Sequence, residues 1–237
     1  MTTALLAVQG LKAWYARAQI LFDVSLDIGR GEVVALMGRN GAGKSTTFKT
    51  VMGLIERVEG DVMFHGQKLR GLEPFQIARL GMGYVPEERR IFSELTVMEN
   101  LEVGRQPSRP GAPAWTPERL FRVFPNLGEM PDRLGGRMSG GEQQMLTVAR
   151  TLMGNPLLVL LDEPSAGIAP KIVEEMANMI LELKKEGLSV LLSEQNLHFA
   201  RLVCDRAYVI EKGQVRYEGT MAELARNERV MKEYLSV

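Results

Sequence analysis

Gly38-Arg39-Asn40-Gly41-Ala42-Gly43-Lys44-Ser45-Thr46 constrains what this chain can fold into more than any other stretch. It fits the pattern Gly-x4-Gly-Lys-Ser in full, between an apolar run at Val33 to Met37 and a segment expected to turn helical at Lys44. Such a loop requires a buried strand before it and a helix after it. Gly38, Gly41 and Gly43 can direct backbone N–H groups onto one anion, with Arg39, Asn40 and Ala42 completing the cradle. The N-terminus of the next helix adds partial positive charge. Lys44 is then expected to reach the β- and γ-phosphates of a nucleotide, Ser45 to offer its hydroxyl to Mg²⁺, and Thr46 to help hold the α-phosphate.

The remaining pattern fits a mainly parallel sheet. Leu5 to Leu11 and Ile20 to Ile28 read as strands, the second with alternating apolar residues from Phe22 to Ile28. A strand near Asp61 to Phe64, a helix near Glu73 to Leu80 and a strand at Met82 to Val85 follow. Residues 87–152 read as a small, mostly helical insert, with the proline-rich Gln106 to Pro113 as a loop inside it. Strands at Leu157 to Leu161 and Ser189 to Ser193 then alternate with helices at Lys171 to Glu186 and Leu197 to Val203. Ala207 to Tyr217 reads as a hairpin turning at Lys212-Gly213, and Met221 to Leu235 as a charged helical tail.

The strand at Leu157 to Leu161 runs into Asp162-Glu163-Pro164. Ligands of parallel sheets gather at the C-terminal ends of strands. Asp162 is therefore a candidate carboxylate for the Mg²⁺ site, and Glu163 a candidate general base for a water attacking the γ-phosphate. By themselves, two acids after a buried strand are solvated caps; the phosphate loop gives them chemistry.

Ser139-Gly140-Gly141-Glu142 is a capping box that opens an amphipathic helix through Met145, Val148 and Leu152. A helix start with two glycines is also an anion site, here without a lysine or a metal ligand of its own.

Phosphate loop, Ser-Gly-Gly turn and Asp-Glu strand end, in that order, resemble the ATP-binding subunits of ABC transporters from about Leu5 to about Leu224. The resemblance implies a single ABC ATPase domain over 1–237. Its fold class is α/β: a P-loop NTPase core, an antiparallel β subdomain and a helical insert. It implies a head-to-tail dimer in which Ser139, Gly140 and Gly141 cover the γ-phosphate of ATP held by the opposite subunit. It also implies two transmembrane permease subunits, an extracytoplasmic substrate-binding protein reached through them, and a peripheral place on the cytoplasmic face of the inner membrane. An aromatic about two dozen residues before the loop stacks on adenine in this family, a role that falls on Tyr15, with its neighbour Trp14 as the competing position. Met138 replaces the usual Leu with little change of volume.

Three positions depart from the family pattern. Glu87 follows Val85-Pro86 where a Gln is usual; it still offers oxygen to Mg²⁺, and Glu88 is the competing alignment. Gln195 stands where a His usually meets the γ-phosphate; it can donate and accept hydrogen bonds but does not titrate. Ala169 removes a carboxylate that usually reaches across the dimer. Together these look like the LivF-type ATPase subunit of branched-chain amino acid importers. There the second ATPase is a related but different chain, so a heterodimer is expected.

Bulk properties exclude several alternatives. Lys+Arg and Asp+Glu each number 29, so net charge gives no case for nucleic acid. No segment approaches the roughly 20 apolar residues needed to cross a bilayer. Cys204 is alone, which points to a reducing compartment and a buried apolar role. His65 at a turn and His198 on a helix read as structural or solvated. A urea or short-amide importer shares the same phosphate chemistry. A soluble ABC ATPase of DNA repair or translation would be expected to show coiled coils, zinc motifs or a second ATPase unit. A P-loop kinase leaves the Ser-Gly-Gly turn unexplained.

Overall fold

The computed structural model describes residues 4–235. β1 (Leu6–Tyr15) and β2 (Ala18–Ile28) pair antiparallel and alternate buried with exposed positions, as in a sheet wetted on one face. β3 (Val33–Met37) is buried at every position and feeds the Gly-rich loop and α1 (Lys44–Val51). β4 (Arg57–Phe64) and β5 (Gln67–Lys68) return to the first sheet, in the order β2-β1-β4-β5. β4 starts earlier than the expected Asp61, because Arg57 to Glu59 pair with Lys12 to Trp14 beyond a register shift in β1. Local patterning carries no trace of that partner.

α2 (Pro74–Arg79) and β6 (Met82–Val85) lead into the helical region: α3 (Val97–Gly104), α4 (Pro117–Val123), α5 (Pro125–Gly128), a 3-10 turn at Gly135–Arg137 and α6 (Gly140–Leu152). Thr96 and Ser139 open α3 and α6 with full capping boxes through Glu99 and Glu142. The proline-rich loop is tied down by Arg109, whose guanidinium donates to the carbonyls of Arg79, Gly154 and Asn155. β7 (Leu158–Asp162), α7 (Pro170–Lys185), β8 (Ser189–Glu194), α8 (Leu197–Val203), β9 (Arg206–Glu211) and β10 (Gln214–Thr220) follow. The second sheet has the order β10-β9-β3-β8-β7-β6 and is parallel except at β10.

The strands of this sheet send alternate residues into two cores. Val33, Ala35 and Met37 join α6, α7 and α8 on one face. Val34 and Leu36 join α1, Ile77 and the antiparallel sheet on the other. The second face is thus covered by a sheet as well as by helices, which strand–helix alternation alone does not reveal. The tail is not one helix. Asn227 breaks it between α9 (Met221–Arg226) and α10 (Glu228–Val230), and its side chain caps α10 by accepting from the Val230 N–H. Cys204, expected in the core, is partly buried at the edge of the first cluster. His65 lies in the β4–β5 turn against the Arg30 guanidinium, and His198 is exposed on α8.

The β9–β10 turn joins the two sheets to the phosphate loop. The Gly213 N–H donates to the Ala42 carbonyl at 2.8 Å, and its own carbonyl accepts from the Phe22 N–H at 2.7 Å. Its φ is 73°, and a Cβ there would run into the Ile20 carbonyl. Gly66, at φ 78°, faces open space. Gly66→Ala should therefore cost about 1–2 kcal/mol from backbone handedness alone. Gly213→Ala should cost more, because steric conflict is added. Equilibrium urea unfolding of both variants checks the order.

Candidate active site

The phosphate loop is held at its entry by β8. Gly38 donates its N–H to the Glu194 carbonyl at 3.2 Å, and a Cβ on Gly38 would collide with the Ile210 carbonyl. Gly43 precedes α1 with φ 112° and no side-chain cap, so the first turn of α1 depends on other acceptors for its N–H groups. Lys44 is 4% exposed. Its ammonium donates to the Gly38 carbonyl at 2.8 Å and the Arg39 carbonyl at 3.0 Å, and pairs with Glu163 Oε1 at 3.0 Å. Its three protons thus have three acceptors.

Asp162 ends β7 and is 1% exposed. Its Oδ1 accepts from the Ser45 hydroxyl at 3.0 Å and the Ser193 hydroxyl at 2.6 Å, and its Oδ2 from the Tyr84 hydroxyl at 3.3 Å. Burial pushes the Asp162 carboxyl up from its ordinary range, and the three hydroxyl bonds oppose that shift. Burial, reinforced by the Asp162 carboxylate, pushes the Tyr84 phenol up as well. The half-buried Ser45 hydroxyl and the buried Asp162 carboxylate, already in contact, are a hard-oxygen donor set that fits Mg²⁺.

Glu163 follows with φ 47°, a left-handed conformation rare for a residue with a side chain. Its N–H donates to the Ser193 hydroxyl at 2.9 Å. Its carboxylate bridges two partners: Oε1 to Lys44, and Oε2 to the Gln195 amide, whose Nε2 donates at 2.7 Å. Strain of this kind persists where surrounding contacts over-determine it.

Lys44, Ser45 and Glu163 open on a cleft of about 340 Å³ lined also by Tyr15, Ile20, Asn40, Gly41, Gly43, Thr46 and Glu87, whereas Gly38, Asp162 and Gln195 lie outside its lining. Tyr15 is 45% exposed at its rim, whereas Trp14 lies under the Arg57 guanidinium at 4.7 Å. Glu87 faces the cleft, while Glu88 approaches Arg90 at 3.8 Å between exposed side chains. Ala42 is buried, and Arg39 points away, donating to the Glu233 carbonyl at 3.3 Å.

Ser139, Gly140 and Gly141 are not in the cleft lining. Ser139 is engaged with Glu142, the Arg89 guanidinium packs against Gly140, and Ile172 against Gly141. Ala169 precedes α7 without a side-chain cap, so the missing carboxylate also leaves that helix start uncapped. Met138 is buried in the core, as a volume-preserving substitute would be.

Local patterning missed three contributors. Ser193 meets Asp162 through the β7–β8 register, 31 residues apart. Tyr84 arrives from β6, and Gly213 from a hairpin turn far along the chain. A run such as Leu192-Ser193-Glu194 signals a buried strand and nothing more.

Residues 21–166 match the family model described as ABC transporter. The chain is 41% identical to the high-affinity branched-chain amino acid transport ATP-binding protein BraG of Pseudomonas aeruginosa, over 98% of this chain and 99% of that protein. It is 36% identical to the lipopolysaccharide export system ATP-binding protein LptB of Haemophilus influenzae, over 98% and 97%. It is also 36% identical to a probable branched-chain amino acid transport ATP-binding protein LivF of Archaeoglobus fulgidus, over 94% of each. A crystal structure of an ATP-binding cassette of an ABC transporter in its ADP conformation superposes with a TM-score of 0.81 at 29% identity, covering 98% of this chain and 96% of that one. Motif order, site geometry and similarity over nearly the full length agree: the chain belongs to the ABC transporter family, as one of its ATP-binding and ATP-hydrolysing cassettes.

Proposed function

We propose that this cassette energises import of branched-chain amino acids. The observation that carries the substrate class is the 41% identity to BraG along nearly the whole of both chains. Glu87, Ala169 and Gln195, the three departures from the general pattern, favour the same branch. A second reading, lipopolysaccharide export, is favoured by the 36% identity to LptB over a similar span. A urea or short-amide importer is a third possibility within the same chemistry.

In the proposed mechanism Lys44 exchanges the Gly38 and Arg39 carbonyls for the β- and γ-phosphates of ATP. Tyr15 stacks on the adenine at the rim. Ser45 and Asp162 would hold Mg²⁺, with Glu87 offering a further oxygen, and the ion would supply charge neutralisation at the phosphates. Glu163 takes the proton of the attacking water, and Gln195 orients that carboxylate. Lys44 stabilises the charge gathering on the transferred group. Ser139 is exposed and Ser139, Gly140 and Gly141 do not line their own chain's cleft, which is compatible with their service to a partner's nucleotide. The partner is a second, related ATPase subunit packed head to tail.

No helix among the described residues is long and apolar enough to cross a membrane. Four large apolar side chains are nevertheless left open on one groove of about 660 Å³: Leu54, Phe75, Phe92 and Val103. Such a cluster supports a docking face for one of two permease subunits, which would hold the cassette at the cytoplasmic membrane face. A substrate-binding protein would act through those permeases without touching this chain.

Glu163→Gln should retain ATP binding and lower kcat by about 10²–10⁴-fold, the usual worth of a positioned base; single-turnover phosphate release against nucleotide binding decides this. Lys44→Ala should weaken ATP binding by roughly 10- to 100-fold, since charged hydrogen bonds of about 1.5–3 kcal/mol are lost. In the reconstituted complex, leucine, isoleucine or valine with the binding protein should stimulate ATPase activity. Stimulation by urea or by lipopolysaccharide, with none from these amino acids, would overturn the substrate assignment.

A further inference from the structure

We propose that Glu194 is a positioning residue for hydrolysis: its buried carboxylate fixes the backbone from which Gln195 reaches Glu163. The inference rests on the reading of Glu163 as general base. Glu194 is the last residue of β8 and is 2% exposed. A charge so placed is costly unless its oxygens are satisfied. Among the described residues no cation pairs with it. The Ser165 side chain and three backbone N–H groups do the work instead. Ser165 donates to Oε1 at 3.1 Å, and Gln195 and Asn196 both donate to Oε2 at 3.1 Å.

The identity of those donors gives the arrangement its meaning. Ser165 lies two residues beyond Glu163, and Gln195 directly follows Glu194. One carboxylate therefore clamps the turn that carries the base to the turn that carries its orienting amide. The Gln195 side chain is exposed, so packing does little to fix it. Its 2.7 Å bond to Glu163 depends on where its backbone is held. Glu163 needs such support, since its left-handed φ has to be maintained from outside the residue. The Glu194 carbonyl also accepts from the Gly38 N–H, so the clamp is in register with the phosphate loop. A histidine in place of Gln195 could stack or pack to fix its ring; a flexible amide gains most from a rigid anchor.

Glu194→Gln keeps the volume but replaces one acceptor oxygen by an NH₂ donor, which must face a backbone N–H. In the reconstituted complex, Glu194→Gln and Gln195→Ala should each lower kcat by about tenfold and leave the KM for ATP within about twofold. The double variant should fall no further than the worse single variant, because both remove the same restraint on Glu163. Multiplied losses in the double variant, wild-type kcat in Glu194→Gln, or a KM effect alone would overturn the proposal. Should Glu194→Gln not fold, amide hydrogen exchange in the wild-type protein gives an independent test. The Ser165, Gln195 and Asn196 amides should be protected, and exchange at exposed-loop rates would overturn the clamp. Full turnover by Glu163→Gln would remove the base itself, a failure distinguishable from additivity at Glu194.

Discussion

A lysine ammonium held in the protein interior is the constraint around which the site is built. Lys44 has its charge matched by Glu163 and its remaining protons bound by two carbonyls of its own loop. Removing one partner from such a buried pair strands the other, at a cost of several kcal/mol. The loop, the end of β7 and the end of β8 must therefore meet at one point. The parallel register brings Met37 beside Glu194 and Asp162 beside Ser193, and the meeting point falls at the C-terminal edge of the sheet.

The second layer is made of neutral hydroxyls and backbone donors. Ser45, Ser193 and Tyr84 surround Asp162, and three N–H groups with the Ser165 side chain surround Glu194. Neither carboxylate has the direct cation partner that Glu163 has in Lys44. Burial raises both, and hydrogen bonding counters it. Acids held in this way keep their orientation without drawing Lys44 from the cleft. Among carboxylates Lys44 thus meets Glu163 alone, beside the two carbonyls of its own loop.

The chain also carries a second glycine-rich helix start that does not line its own cleft. The capped start of α6 lies outside the cleft lining, with Arg89 packed on Gly140. A helix start of this type satisfies only some of its N–H groups through the capping box. Ser139 is exposed there, and Gly140 and Gly141 are half-buried.

The sequence by itself determined what is local. Gly38 to Thr46 specified a strand, a loop and a helix, Ser139 and Glu142 specified a capped helix, and Lys212-Gly213 specified a hairpin turn. Each depends on contacts a few residues apart, so residue type and spacing suffice. Spacing favoured Tyr15, and tertiary structure separated it from the competing Trp14: Tyr15 borders the cleft, while Arg57 on the neighbouring strand stacks on the indole. Tertiary structure decided likewise that Glu87 rather than Glu88 faces inward. It set the left-handed turn at Glu163, the Ser193 bridge and the Glu194 clamp. Those features arise from strand register and burial between segments some 30 residues apart, and a chain read in order contains no local signal for such a meeting.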